Sequence, residues 1–124
     1  MKSISEQVDD FMLSNHNNLW LNDNILSVYV RKNYRNINGV LTNTFDVANI
    51  KSIKKKYEHK GYFKAFMLKV ESLGIPIVVE CIHNPDLVDM LERNGYTIIS
   101  SQYNTDAYKQ SFNLKEDKNE LSKL

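Results

Sequence analysis

Cysteine is almost absent from this chain: Cys81 stands alone among 124 residues, which excludes an internal disulfide and points to a reducing, cytoplasmic setting. Histidine is scarce too. His16, His59 and His83 are scattered too widely for zinc-ligand spacing, so no metal is expected. A large charge of either sign is missing: 16 basic residues meet 15 acidic ones, and no global field steers the molecule to nucleic acid or to an anionic membrane. No stretch approaches the roughly 20 apolar residues of a membrane span. Met1 to Asp10 lacks an apolar run after a basic start, so neither a span nor a signal segment is expected and the chain reads as soluble. Arginine is outnumbered by lysine, three to thirteen, and with abundant Asn, Ile and Tyr this composition suggests an AT-rich coding genome, such as that of a virus (a phage-like source) or a low-GC bacterium.

What is present suffices for one core. With 42% hydrophobic residues over this length, a single domain spanning 1–112 is expected, followed by a charged polar tail over 113–124.

Ser3 and Glu6 have capping-box spacing, and Ile4, Val8, Phe11 and Met12 recur at helical intervals, so the chain opens with a helix of about three turns. Residues 24–34 are strand-like, Asn38-Gly39 is a reversal signal, and Val40 to Ile53 returns as the second arm of a hairpin. After Gly61 the period changes: Phe63, Phe66, Met67, Val70 and Leu73 mark one face of a helix that Gly74 and Pro76 end. Ile75 to Ile82 is a nearly continuous β-branched run, the pattern of a central parallel strand. Asn84-Pro85-Asp86 then caps a short helix that Gly95 closes, and Tyr96 to Gln102 and Asp106 to Phe112 read as two final strands around an Asn104-Thr105 turn.

Strand, basic connection, helix and buried strand from Phe45 to Ile82 form a βαβ unit, whose crossover should be right-handed. That geometry carries the helix N-terminus to the carboxyl ends of the strands, where amide hydrogens and the helix dipole favour an anion. Six lysines, Lys51, Lys54, Lys55, Lys56, Lys60 and Lys64, crowd this turn. A solvated charge run explains them equally simply; their place between a strand and a glycine-opened helix favours phosphate binding.

These residues resemble a family. Tyr57 to Met67 is similar to motif A of the GNAT (Gcn5-related N-acetyltransferase) superfamily, a Gln/Arg-x-x-Gly-x-Gly/Ala core followed by a helix, with Glu58 and Phe63 departing from it. Ile77 to Asn84, with Leu87, Leu91 and Asn94-Gly95-Tyr96, resembles motif B. The likeness spans about Leu26 to Phe112, with the first strand of the family missing or replaced. It implies an α/β (α+β) fold with a mixed, mostly antiparallel central sheet, one parallel βαβ unit and helices on both faces. It also implies acetyl-CoA as cofactor, held by Ile53, Glu58, His59, Lys60, Gly61, Tyr62, Phe63, Lys64 and Asn84.

The implied activity is direct N-acyl transfer from an acyl-CoA to a primary amine of a small molecule, a protein or a nucleotide, and a homodimer is implied as well. Asp46, Glu80 and His83 are the candidates for general base; of these, a carboxylate inside an apolar strand, Glu80, would have its pKa raised by desolvation. Glu80 has an ordinary structural role beside the catalytic one, as an edge-facing or ion-paired side chain, as does His83 at a strand end, and Asn84 has one as a helix cap. Cys81 is expected to be buried as a small hydrophobe. Leu91 occupies the position where the family often carries a tyrosine that protonates the thiolate. A second reading therefore remains: the same fold without catalysis, a viral inhibitor or adaptor whose lysines meet an acidic partner. Nucleic-acid binding ranks last.

Overall fold

In the computed structural model, residues 2–54, 56 and 60–110 are described. The opening helix α1, Ile4–Leu13, begins at the expected capping box: the Ser3 hydroxyl accepts from the Glu6 N–H and the Glu6 carboxylate accepts from the Ser3 N–H, both at 3.2 Å. Its buried residues are Val8 and Phe11, and the Phe11 ring meets Phe45 edge-on at 6.2 Å, fixing the helix over the sheet.

Six strands form one sheet: β1 Asn18–Asn22, β2 Leu26–Ile37, β3 Val40–Ser52, β4 Ile77–Val79, β5 Thr97–Ser100 and β6 Thr105–Lys109, in spatial order β1-β2-β3-β4-β6-β5. Among the described residues β3 and β4 run parallel and every other neighbouring pair is antiparallel. Helix α2, Tyr62–Glu71, makes the β3-to-β4 crossover and α3, Pro85–Arg93, leads to β5. The mixed sheet with its βαβ unit is the one expected.

Alternation places Val28, Val30, Phe45, Val47, Ile77, Val79 and Ala107 in the core with Phe66, Met67 and Val70 of α2. Removing a side chain such as Phe66 from water contributes about 1.5–3 kcal/mol. The turn between β2 and β3 has φ of 52° at Asn38 and 84° at Gly39, the doubly left-handed turn that suits a two-residue hairpin.

Several boundaries differ from the sequence reading, β2 running on to Ile37 among them. A strand, β1, precedes the hairpin and pairs with β2 from Asn18↔Arg31 to Asn22↔Ser27, so an edge strand stands where none was foreseen. The run from Ile75 to Ile82 contributes only Ile77–Val79 to the ladder. Tyr96 lies outside β5, its N–H bonded to the Leu91 carbonyl. The last reversal is closed by Ser101 N–H to the Asn104 carbonyl at 2.8 Å, so Thr105 already belongs to β6. Phe112 and the tail over 113–124 lie outside the described residues.

One polar node ties α2, α3 and β6 together. The buried Tyr96 hydroxyl donates to Glu71 Oε2 at 2.9 Å, and Lys109 Nζ donates to the Asn94 carbonyl at 2.9 Å while lying 5.2 Å from the Tyr96 ring centroid. Burial, then the Glu71 charge, pushes the Tyr96 hydroxyl far above its ordinary value. The folded state thus keeps a proton that the unfolded chain loses above about pH 10, and stability falls as pH rises through that range. Tyr96→Phe is expected to cost about 1.5–3 kcal/mol near neutral pH and to flatten this alkaline loss, as urea titrations at several pH values would record.

Candidate functional site

The site is made by two strands that part. β3 and β4 pair only from Phe45↔Ile77 to Val47↔Val79, with a last bond from Glu80 N–H to the Val47 carbonyl at 2.9 Å. Beyond it β3 continues along β2 to Ser52, through a register shift in which Tyr29 pairs with Asn49 and Val30 with Val47, leaving Ala48 as the bulged residue. The other strand turns away toward β6: Cys81 N–H donates to Asp106 Oδ1 at 2.9 Å and Ile82 N–H to the Thr105 carbonyl at 2.8 Å. A cleft of about 260 Å³ opens between them, lined by Ala48, Asn49, Ile50, Glu80, Cys81 and His83 among others.

Cys81 corrects the sequence reading. It is exposed, with φ of 52°, because the chain leaves the ladder there instead of continuing as a strand. Glu80 likewise lies one residue past β4.

Next to the cleft, a groove of about 530 Å³ runs between the start of α2 and α3. Lys60, Gly61, Tyr62, Phe63 and Lys64 form one wall, and Asn84, Asp86, Leu87, Asp89, Met90 and Arg93 contribute the other. Gly61 is the N-cap of α2 with φ of 85°, no side chain caps the helix, and nothing lies within 4 Å of the position a Cβ would take. Phe63 is half-buried against the core, 6.2 Å from the Phe66 ring, and lines the groove without filling it. Asp89 is paired with Arg93 at 3.1 Å. Ile50, Asn84 and Leu87 line both cavities, which therefore adjoin.

The predicted site residues divide accordingly. Lys60 to Lys64 and Asn84 come together; Asn84 Oδ1 also accepts from the Asp86 N–H at 2.9 Å, the cap foreseen. Ile53 is exposed outside the groove, its N–H bonded to the Ile25 carbonyl, and Ser52 and Ile50 line the wall instead. Glu58 and His59 lie outside the described residues.

Glu80 and His83 share the cleft, whereas Asp46 does not line it. Asp46 is fully buried and accepts from Arg35 at 2.8 Å, Asn33 at 2.9 Å and Thr44 at 2.8 Å, an arrangement that occupies its oxygens and suits a scaffold more than a base. Its hydrogen bond is the chief reason the Arg35 guanidinium is held above its ordinary value.

Two arginines were missed from sequence. Arg35 also donates to Glu80 Oε1 at 2.9 Å, and Arg31 reaches Glu80 Oε2 at 3.2 Å. Burial raises the Glu80 carboxyl, Arg31 pulls it back, and the Asp46 charge adds to the rise. The available signal was the spacing of Arg31, Asn33 and Arg35, which in a strand puts three polar side chains on one face.

Two solved structures are similar to this architecture. A KacTA–DNA complex aligns with a TM-score of 0.58 at 10% identity, over 93% of this chain and 86% of that one. A mutant of the AtaT toxin, bound to the C-terminus of the antitoxin AtaR and acetyl-CoA, aligns with a TM-score of 0.53 at 8% identity, over 69% of this chain. The fold is GNAT-like. The match spans only 58% of that AtaT chain. No protein-family model and no curated protein matches the sequence. No helix among the described residues is long and apolar enough to cross a membrane.

Proposed function

We propose that this protein is an acyl-CoA-dependent N-acyltransferase that moves an acetyl group directly to a primary amine. The supporting observation is that a glycine-opened helix N-terminus and a cleft between parting strands adjoin, with Ile50, Asn84 and Leu87 lining both. Acetyl-CoA fits the residues present. Its pyrophosphate would meet α2 where Gly61 leaves room and Lys60 and Lys64 supply charge, and its thin arm would pass the apolar Leu26, Ile50 and Leu87 into the cleft. Bound there, it supplies the activated thioester; one of the two similar structures contains acetyl-CoA.

The chain's own residues position the acceptor and take its proton. Glu80 lines the cleft with its carboxyl raised by burial, a shift toward the working range of a base. His83 is the second group at the cleft able to accept a proton.

A binding protein without catalysis is the second reading. Leu91, fully buried on α3, offers no acid for the departing thiolate, and Glu80 is already held by two arginines.

Acetyl-CoA titration with a melting readout tests the first reading. A ligand at about a hundred times its Kd stabilises the folded state by about 2.7 kcal/mol. A melting temperature indifferent to acetyl-CoA would remove the proposal. Stabilisation without thiol release across a panel of primary amines would favour the binding protein.

A further inference from the structure

The β2–β3 hairpin is longer than the sheet that supports it. β1 covers β2 only as far as Arg31, and β4 covers β3 only from Phe45 onward, so residues 32–44 project as a two-stranded arm. An isolated two-stranded ribbon is marginal in water. This one also exposes Tyr34, Val40 and Leu41, at 67%, 63% and 72%.

The two edges of the arm are unlike. On the β2 side, Lys32 N–H reaches the Asn17 carbonyl, Tyr34 N–H is taken by the Asn33 side chain at 2.8 Å, and Lys32 and Arg35 carry charge. On the β3 side, Phe45 N–H donates to Pro76 and the Val47 carbonyl accepts from Glu80, so odd-numbered residues of this stretch turn their backbone groups away from β2. Leu41 and Asn43 therefore direct their N–H and C=O groups outward, and no described residue pairs with that edge. From Asn36 to Phe45 the sequence has neither a charged residue nor a proline, the usual means by which an exposed edge is kept from pairing.

We propose that this edge pairs with the same edge of a second copy of the chain, antiparallel about a two-fold axis at Thr42. The register follows from the parity. Leu41 falls opposite Asn43 of the second copy as a hydrogen-bonded pair, and its symmetry mate repeats it, so the outward groups satisfy one another. Thr42 faces its own counterpart as a non-hydrogen-bonded pair, a favourable cross-strand match. The two Leu41 side chains become diagonal neighbours and cover apolar surface that each chain otherwise leaves in water. Pro76 closes the edge at Phe45, which confines the overlap to residues 40–44 and selects this register. The uncharged edge sets no like charges against each other across the axis, the condition a self-pairing strand must meet. This interface does not depend on the acyltransferase reading.

Sedimentation of the unmodified chain should show a concentration-dependent species of twice its mass, and Thr42→Lys, which sets two ammonium groups against each other, should be monomeric with an unchanged circular dichroism spectrum. A disulfide provides the geometric test. In Thr42→Cys with Cys81→Ser, the facing Cα atoms would lie about 4.5 Å apart, within the span a disulfide accepts, so mild oxidation should give a cross-linked dimer. A chain that stays monomeric at high micromolar concentration overturns the proposal. So does a dimer that survives Thr42→Lys and fails to cross-link, because its interface then lies elsewhere.

Discussion

Arg35→Met is expected to destabilise the fold by about 3–5 kcal/mol, the range found when one partner of a buried ion pair is removed. Asp46 has no exposed surface, and Arg35 is its only ion-pair partner among the described residues; Asn33 and Thr44 offer neutral hydrogen bonds that cannot offset a buried charge. The same substitution releases Glu80 Oε1. Arg31→Met provides the contrast, since the carboxylate Arg31 meets is the partly exposed Glu80, at 3.2 Å, with a looser contact to the Tyr29 ring at 5.9 Å, and its loss should cost about 1 kcal/mol or less. Urea midpoints of the two variants measure the difference. Equal costs would show that Asp46 does not depend on Arg35.

The second large effect concerns the groove. Gly61→Asp should lower affinity for coenzyme A about a hundredfold, because it sets a carboxylate where the diphosphate would lie, and like charges about 4 Å apart near a protein surface cost about 4 kcal/mol, above the roughly 2.8 kcal/mol that two factors of ten require. The φ of 85° at Gly61 adds strain for any side chain. Gly61→Ala separates the two contributions, since a methyl group there meets no atom within 4 Å and shares the strain without the charge. Calorimetry on the parent and both variants should rank them parent, alanine, aspartate. Equal binding by all three would place the pyrophosphate away from α2.

The sequence announced the elements whose signals are local. Ser3 with Glu6, Asn38-Gly39 and Asn84-Pro85 each set a cap or a turn within a few residues, and each stands where it was read. The parting of β3 from β4 was hidden for a physical reason. Ile75 to Ile82 is uniformly apolar up to Glu80, so nothing in its pattern shows that pairing stops at Val79; that is decided by Asp106 and Thr105, more than twenty residues downstream, which take the amides of Cys81 and Ile82. The bulge at Ala48 is equally silent, a non-glycine residue in an otherwise regular strand. The ring of Arg31, Arg35, Asp46 and Glu80 joins residues as far apart as 49 positions, beyond the reach of any periodicity. Candidate bases could be named from residue type, but which of them lines the cleft could not, because Asp46 and Glu80 differ in partners rather than in sequence context.

With only Ile77–Val79 joining β3 to β6, the sheet amounts to two panels, β1-β2-β3 and β6-β5, stitched along a seam three residues wide. Twist about so narrow a seam changes the gap at its open end more than it disturbs either panel. Arg35, gripping Asp46 on one panel and Glu80 at the margin of the other, is the clasp that sets how far they swing apart.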